Sequence, residues 1–358
     1  MNRADLVGKV QTVLGIIDPQ DLGITLTHEH CLLDMAVWFM EPAEASQRAL
    51  AHQPITLENI GWVRYHPMSH RENLRLLDEE LAIKELQLYK LAGGHSLVDV
   101  TNIGLARDPM ALRRIARATG LNIIMGSGYY AGPAHPPEVE GKTEEEIAEE
   151  IVHDIMVGVA DTGVRAGIIG ELGCSWPLMD SERKVLRAGA RAQQLTGAAL
   201  TIHPGRHESA YREVLDFLGN AGADLSRTII DHFDRCLFDR DRRLKLVEDC
   251  AKTGCYIEYD LFGWEGYYPF ALAPQAGFDL PNDRQRVDDI SRLIDRGYLN
   301  QIVVGQDMCM KMRLCRYGGH GYAHILDNVL PRMRDHGISD EAIHTILVEN
   351  PRRVLTFV

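Results

Sequence analysis

Apolar positions along this chain follow two alternating regimes. Short runs rich in Ile, Val and Leu recur at 23–30 (GITLTHEH), 96–102 (SLVDVTN), 122–130 (NIIMGSGYY) and 166–173 (AGIIGELG). They continue at 199–205 (ALTIHPG), 228–234 (TIIDHFD), 255–263 (CYIEYDLFG) and 302–308 (IVVGQDM). Near-continuous apolar cores of this kind predict strands buried on both faces. Between them lie stretches with helical periodicity. In one, Ile147, Ile151, Ile155 and Val159 recur every fourth residue behind a capping box at Thr143–Glu146. Similar patterns cover 70–91, 107–119, 181–196, 207–219, 239–252, 284–297 and 320–335, with a last helix near 339–348. Strands alternating with helices imply βαβ units, and eight of each imply a closed (β/α)₈ TIM barrel of the α/β class. No low-complexity tract or linker interrupts the pattern, so 1–358 is expected to be one domain, with a short β extension over 1–22.

Three connections are unusually long: 31–69 after the first strand, 264–283 after the seventh and 309–319 after the eighth. Each leaves the C-terminal end of a strand, the rim where barrels carry their active sites. They hold Trp38, Phe39, Trp62, Tyr65, Trp264, Tyr267, Tyr268 and Phe270, which predicts a partly apolar pocket beneath loop covers.

Composition narrows the function classes. A net charge of -13 argues against nucleic acid or an anionic membrane surface as partner. No segment has the apolar length of a membrane span, and the N-terminus lacks the apolar core of a signal peptide. Seven cysteines without CxxC spacing read as reduced thiols, and predict a cytoplasmic protein. Cys31, Cys174 and Cys309 lie near the candidate site without being needed as ligands.

The chemistry begins at Thr27-His28-Glu29-His30. In an extended chain His28 and His30 share a face while Glu29 points away, and two imidazoles about 7 Å apart can approach one ion. Four further strand ends carry a polar residue after an apolar run: Glu171, His203, His232 and Asp307. Each would be costly to bury unpaired, and a barrel brings all these ends to one ring. Four imidazoles and two carboxylates suit a divalent metal with nitrogen and oxygen ligands, zinc first, with manganese, iron or cobalt also compatible.

The segments GITLTHEH, GIIGELGCSWPL, IHPGR, CYIEYDLFG, YGGHGYAHIL and ENPRRVLTF extend this pattern over nearly the whole chain. Together they resemble the phosphotriesterase-related family of the amidohydrolase superfamily. The resemblance implies a two-metal hydrolase in which His28, His30 and Asp307 hold a buried ion, His203 and His232 a more exposed one, and Glu171 bridges them. True phosphotriesterases and their lactonase relatives have a carboxylated lysine where this chain has Glu171. Gln306 stands where relatives often carry histidine, and Leu261 where lactonase relatives hold an arginine. These departures speak against a close copy of either activity.

A water shared by two ions would be acidified into a bridging hydroxide that attacks a carbonyl or phosphoryl centre. Asp307 is then the expected proton carrier to the leaving group, and Tyr130 resembles the family tyrosine beside the hydroxide. Animal members of the resembled family are associated with hydrolysis of N-acetyltaurine and similar N-acyl amino acids. An anionic small-molecule substrate of that type needs a cation, for which Arg206, Lys311, Arg313 and Arg316 are candidates, with Trp264 as a further substrate contact. Two alternatives stay open: a lactonase, carboxylesterase or phosphotriesterase using the same centre, and a non-catalytic ligand-binding barrel, since relatives carry a name implying binding of an apolar diterpene. His320 and His324 are spaced to hold a metal but are expected to pack. A homodimer is a family-based expectation.

Overall fold

The computed structural model describes residues 3–237, 239–265 and 280–358. Eight parallel strands form one sheet: β1 (Thr25–Glu29), β2 (Ser96–Asp99), β3 (Asn122–Ser127), β4 (Ile168–Gly173), β5 (Leu200–His203), β6 (Thr228–Ile230), β7 (Tyr256–Tyr259) and β8 (Ile302–Val304). They pair in chain order from β1 to β8. The last seam is drawn shut by two hydrogen bonds, Asp307 N–H to the His28 carbonyl at 3.1 Å and Thr27 Oγ1 to the Val304 carbonyl at 3.1 Å. The chain is thus a (β/α)₈ barrel.

Residue parity on the strands sorts the core into two layers. Val98, Ile124, Ile168, Ala199, Ile229, Tyr256 and Val303 form an inner cluster, floored by Val10, Leu22, Val354 and Leu355. Their neighbours Leu97, Ile123, Ile169, Leu200, Ile230, Ile257 and Ile302 face outward into the larger cluster shared with the helices. Those helices are α1 (Glu79–Leu91), α2 (Pro109–Thr119), α3 (Glu144–Met156), α4 (Asp180–Thr196), α5 (Glu208–Asn220), α6 (Arg240–Ala251), α7 (Asp283–Asp295) and α8 (Leu330–Asp335). The capping box that opens α3 is present, with Thr143 Oγ1 accepting from Glu146 N–H and Glu146 returning the bond. Within the N-terminal extension, Val10–Thr12 pairs antiparallel with Gly15–Ile17.

Two helix expectations need correction. The helix expected over 70–91 starts only at Glu79, where the Asp78 carboxylate caps Leu81 N–H at 3.0 Å. Before it, Arg75–Leu76 pairs with Leu33–Asp34, so the preceding residues belong to the long first loop. The helix expected over 320–335 starts as a π turn at Ile325–Val329, because Gly318 and Gly321 have φ of 76° and 69° and break the helical path. In the loop after β7, Tyr267, Tyr268 and Phe270 lie outside the described residues.

Candidate metal centre

Strand parity also decides which polar side chains enter the barrel. On β5 and β8 the alternation that sends Ala199 and Val303 inward continues to His203 and Asp307. His232 and Glu171 are out of step with Ile229 and Ile168, and a local departure brings each one in. His232 takes left-handed backbone, φ 60°, and β4 shifts register against β5 between Ile169 and Leu172. A similar shift on β1 between Leu26 and Glu29 helps present His28. Asp307 also has positive φ, 46°. Left-handed backbone costs a non-glycine residue about 1–2 kcal/mol, and it persists where surrounding contacts over-determine it. Before Glu171, Gly170 has φ 116°, and a Cβ there would lie 2.2 Å from the Thr201 carbonyl oxygen; only glycine fits.

The six predicted ligands meet at one end of the barrel, all buried. His30 Nε2 lies 3.4 Å from Glu171 Oε1 and 3.3 Å from Asp307 Oδ1. His28 Nε2 is 3.9 Å from Glu171 Oε2 and 3.9 Å from Asp307 Oδ1. His203 Nδ1 is 2.7 Å from Glu171 Oε2 and 3.0 Å from His232 Nε2. Among the described residues His28 Nε2 has no hydrogen-bond partner, although the residue is fully buried. An imidazole nitrogen left in that state is costly unless something coordinates it. Converging nitrogen and carboxylate donors around such an atom fit a divalent metal. His28, His30 and Asp307 can present one atom each within 4.8 Å of one another.

A second layer aims these ligands. His30 Nδ1 is hydrogen-bonded to Thr101 Oγ1 at 2.8 Å, and Thr101 donates onward to the Leu32 carbonyl at 3.1 Å. His232 Nδ1 meets Asp260 Oδ1 at 2.8 Å, while Asp260 Oδ2 accepts the His232 N–H at 3.0 Å. His28 Nδ1 faces Asp231 and Asp260, each at 3.4 Å. Glu29, expected to point away from the site, uses its carboxylate to accept Gln306 N–H at 2.9 Å and Met308 N–H at 3.2 Å. It thereby clamps both neighbours of Asp307. Asn102 donates to the Glu171 carbonyl.

Charge follows from burial. Desolvation pushes the Glu171 carboxyl up, and His28 and His30 offset this only in part. For Asp307 burial acts upward too, but the His30 hydrogen bond and the nearby imidazoles win and hold it well below the carboxylate range. Burial, then the Arg235 charge, pulls His203 and His232 well below their ordinary value, leaving neutral imidazoles with lone pairs to donate. Burial and the Glu171 charge push the Tyr130 phenol up, so it stays protonated.

A narrow cavity of about 30 Å³ opens over His30, Glu171, His203 and Asp307. Tyr130, Arg206 and Trp264 line it, as does Trp38, which meets Tyr130 edge-on at 6.4 Å. Arg313 and Arg316 are not among the lining residues. Arg313 is buried and donates to the backbone carbonyls of Asp307 at 2.6 Å and Phe262 at 2.7 Å, so it joins two loops. Arg316 is exposed, and Lys311 is paired with Glu72 at 2.7 Å. Gln306 donates to the Tyr322 carbonyl at 3.0 Å, and Leu261 N–H to Asp234 at 2.9 Å. His320 and His324 stack at 4.2 Å, and His324 is held by Asp283 at 2.6 Å. A larger groove of about 810 Å³ runs between α5 and α6 but contains none of the six ligands.

Arg235, Asp260, Asp231 and Thr101 are further residues of the site, beyond the candidates drawn from the sequence. Asp260 closes the apolar run of β7 as His203 closes that of β5, so its signal was present. Arg235 offered none, because it lies beyond β6 in a turn whose direction depends on the backbone at His232.

Comparison with known proteins follows the same outline. The model described as Phosphotriesterase family matches residues 8–355. The chain is 43% identical to a Bos taurus protein named N-acetyltaurine hydrolase over 355 residues, covering 99% of each chain. It is 45% identical to a phosphotriesterase-related protein of Nematostella vectensis, over 98% of this chain and 99% of that one. Among solved structures, a resiniferatoxin-binding protein from Rhodobacter sphaeroides aligns with a TM-score of 0.90 at 37% identity, covering 97% of this chain and 95% of that one. An Escherichia coli phosphotriesterase homology protein, complexed with phosphate in its active site, aligns at 0.75 and 26% identity, covering 95% and 100%.

Proposed function

The chain belongs to the phosphotriesterase family and is a hydrolase, and from that premise we propose that it cleaves a small amide of the N-acyl amino acid or N-acetyltaurine type with a two-metal centre. The observation that carries the substrate class is the 43% identity, over 99% of both chains, to a protein named N-acetyltaurine hydrolase. The donor set supports the reaction class, since all the positions a metal-dependent hydrolase needs are filled and converge.

In this reading His28, His30 and Asp307 would hold one ion and His203 and His232 the other, with the Glu171 carboxylate within reach of both groups. Divalent ions held there would supply an acidified water and a Lewis acid for the scissile carbonyl. Zinc is the first candidate, with manganese, iron or cobalt compatible. The chain's own residues order the rest. Asp307, 3.3 Å from His30 at the cavity floor, accepts the proton released on attack and passes it to the leaving amine. Tyr130 offers a protonated hydroxyl at the cavity wall. Trp264 and Arg206 line the same cavity and serve as substrate contacts. The proposal extends to a cytoplasmic setting, supported by seven free cysteines of which six are buried, and to a homodimer by family analogy.

A second reading, a barrel that binds without catalysis, is favoured by the name of the resiniferatoxin-binding relative. A substrate panel separates the readings. Metal-loaded protein is incubated with N-acetyltaurine, N-acetyl amino acids, lactones, carboxylic esters and phosphotriesters, and products are followed by mass spectrometry. Release of acetate from the amides is expected. Turnover of esters alone would replace the amide reading, and no turnover with full metal content would favour the binding barrel.

A further inference from the structure

We propose that Arg235, together with Arg206, grips the anionic end of the substrate, so that the site selects short N-acyl compounds with a sulfonate or carboxylate close to the scissile amide. This rests on the amide reading above and adds to it the residues that set specificity.

The lining of the cavity divides by chemistry. Leu33, Met35, Trp38, Met68 and Leu105 make an apolar wall from the loops that follow β1 and β2. Arg206 and Arg235, from the turns after β5 and β6, are its cationic lining among the described residues. In a ring of eight strands paired in chain order, β5 lies four steps from β1, directly across the mouth. A substrate entering between the two sides meets hydrocarbon on one and two guanidiniums on the other.

Arg235 is built into its position. Its Nη2 lies 2.9 Å from His203 Nε2 and donates to the Pro204 carbonyl at 3.0 Å, so the guanidinium sits immediately beside one of the ligands. Arg206 stacks over Trp38 at 5.1 Å, which joins the cationic side to the aromatic edge of the apolar wall. Both arginines bear on the electrostatics of the centre, since their charges contribute to the low proton affinity of His203 and His232. On a molecule with a net charge of -13, such a local cationic patch favours the approach of an anion.

The dimensions select the rest. A cavity of about 30 Å³ leaves space for a short acyl group rather than a long chain. With the scissile carbonyl over Glu171 and His203, Arg235, whose Nη2 is 2.9 Å from His203 Nε2, is placed to meet an anionic group only a few bonds away. An amino acid carboxylate, three bonds from the acyl carbonyl carbon, and a two-carbon aminosulfonate, four bonds from it, are both of that kind. The planar fork of a guanidinium matches either oxyanion with paired hydrogen bonds. Arg313 and Arg316 do not line this cavity.

The test compares N-acetyl-2-aminoethanesulfonate with its uncharged counterpart N-acetyl-2-aminoethanol, in wild type, Arg235→Gln, Arg235→Lys and Arg206→Gln, with metal content measured for each. Wild type is expected to prefer the sulfonate. In each Gln variant the ratio of kcat/KM for the anionic over the neutral compound falls about 10- to 100-fold, mainly through KM, the range that charge-assisted hydrogen bonds give. Arg235→Lys restores part of the ratio. Methanesulfonate inhibits wild type competitively, and its inhibition weakens about tenfold in the Gln variants. If Arg235→Gln loses metal, Arg235→Lys and Arg206→Gln carry the comparison. Wild type that cleaves both compounds with a ratio unmoved by any variant overturns this proposal and leaves the amide reading standing. Wild type that cleaves neither overturns both.

Discussion

Glu171 touches imidazoles from β1 and β5, and Asp307 touches both imidazoles at the end of β1, so neither can be removed without leaving nitrogens unpaired in a dry site. Glu171→Ala and Asp307→Ala are each expected to lower turnover at least about a hundredfold and to reduce bound metal, read by steady-state kinetics and elemental analysis. Asp307→Ala protein that keeps wild-type turnover would remove the proton-carrier role. Asp260 works one layer back. Asp260→Asn keeps the shape but weakens the acceptor that orients His232, and metal affinity measured by competition with a chelator should fall about 10- to 100-fold. An unchanged affinity would mean that His232 is oriented by packing alone. At this scale the sequence was readable wherever parity ran straight. His203 and Asp307 are in phase with apolar residues visibly destined for the interior, whereas His232 and Glu171 were found only because an ionisable residue after an apolar run is conspicuous.

Individual elements carry their own tests. The Thr143–Glu146 capping box satisfies otherwise unpaired N–H groups at the start of α3, on the outside of the barrel. Thr143→Ala should cost about 1 kcal/mol in urea denaturation and leave turnover unchanged. At the start of α7, Asp283 accepts from His324 at 2.6 Å, Arg286 at 2.9 Å and Gly263 N–H at 2.9 Å. Burial alone would raise its carboxyl, but these donors outweigh burial and hold it down to about 2. A depressed carboxyl contributes stability that is present above its unfolded value near 3.8 and is lost as pH falls through about 2. The advantage of wild type over Asp283→Asn should therefore shrink by about 2 kcal/mol from about pH 5 to about pH 2, measured by denaturation at each pH. A constant difference would show that the carboxylate charge is not what anchors α7. Helix starts with a capping residue, at Asp78, Thr143 and Asn282, are local events; the delayed start of α1 arose because Arg75–Leu76 finds a strand partner some forty residues earlier, which no window of sequence contains.

For the molecule as a whole, the centre is also a staple. Its candidate donors come from β1, β4, β5, β6 and β8 or the residues just beyond them, so an ion bound there would join strands on both sides of the β8–β1 seam. Metal bound to the folded state alone should raise stability with free metal concentration, by about 4 kcal/mol at a thousandfold excess over Kd. Thermal unfolding with and without chelator measures this. A melting temperature indifferent to metal would mean that the donors are elsewhere engaged.

The barrel, its eight strands and the six candidate donors at their ends follow from the order of residues, because burial on both faces imposes an apolar run and a polar residue ending such a run is too costly to be incidental. The amino-acid order could not say how the donors face each other or which cations share their cavity. Glu171 enters through a register shift, His232 through a left-handed residue, and Arg235 through the turn that follows it. Each of these is a choice among backbone states close in energy, tipped by neighbours distant in the chain, and so it exists only once the barrel has closed.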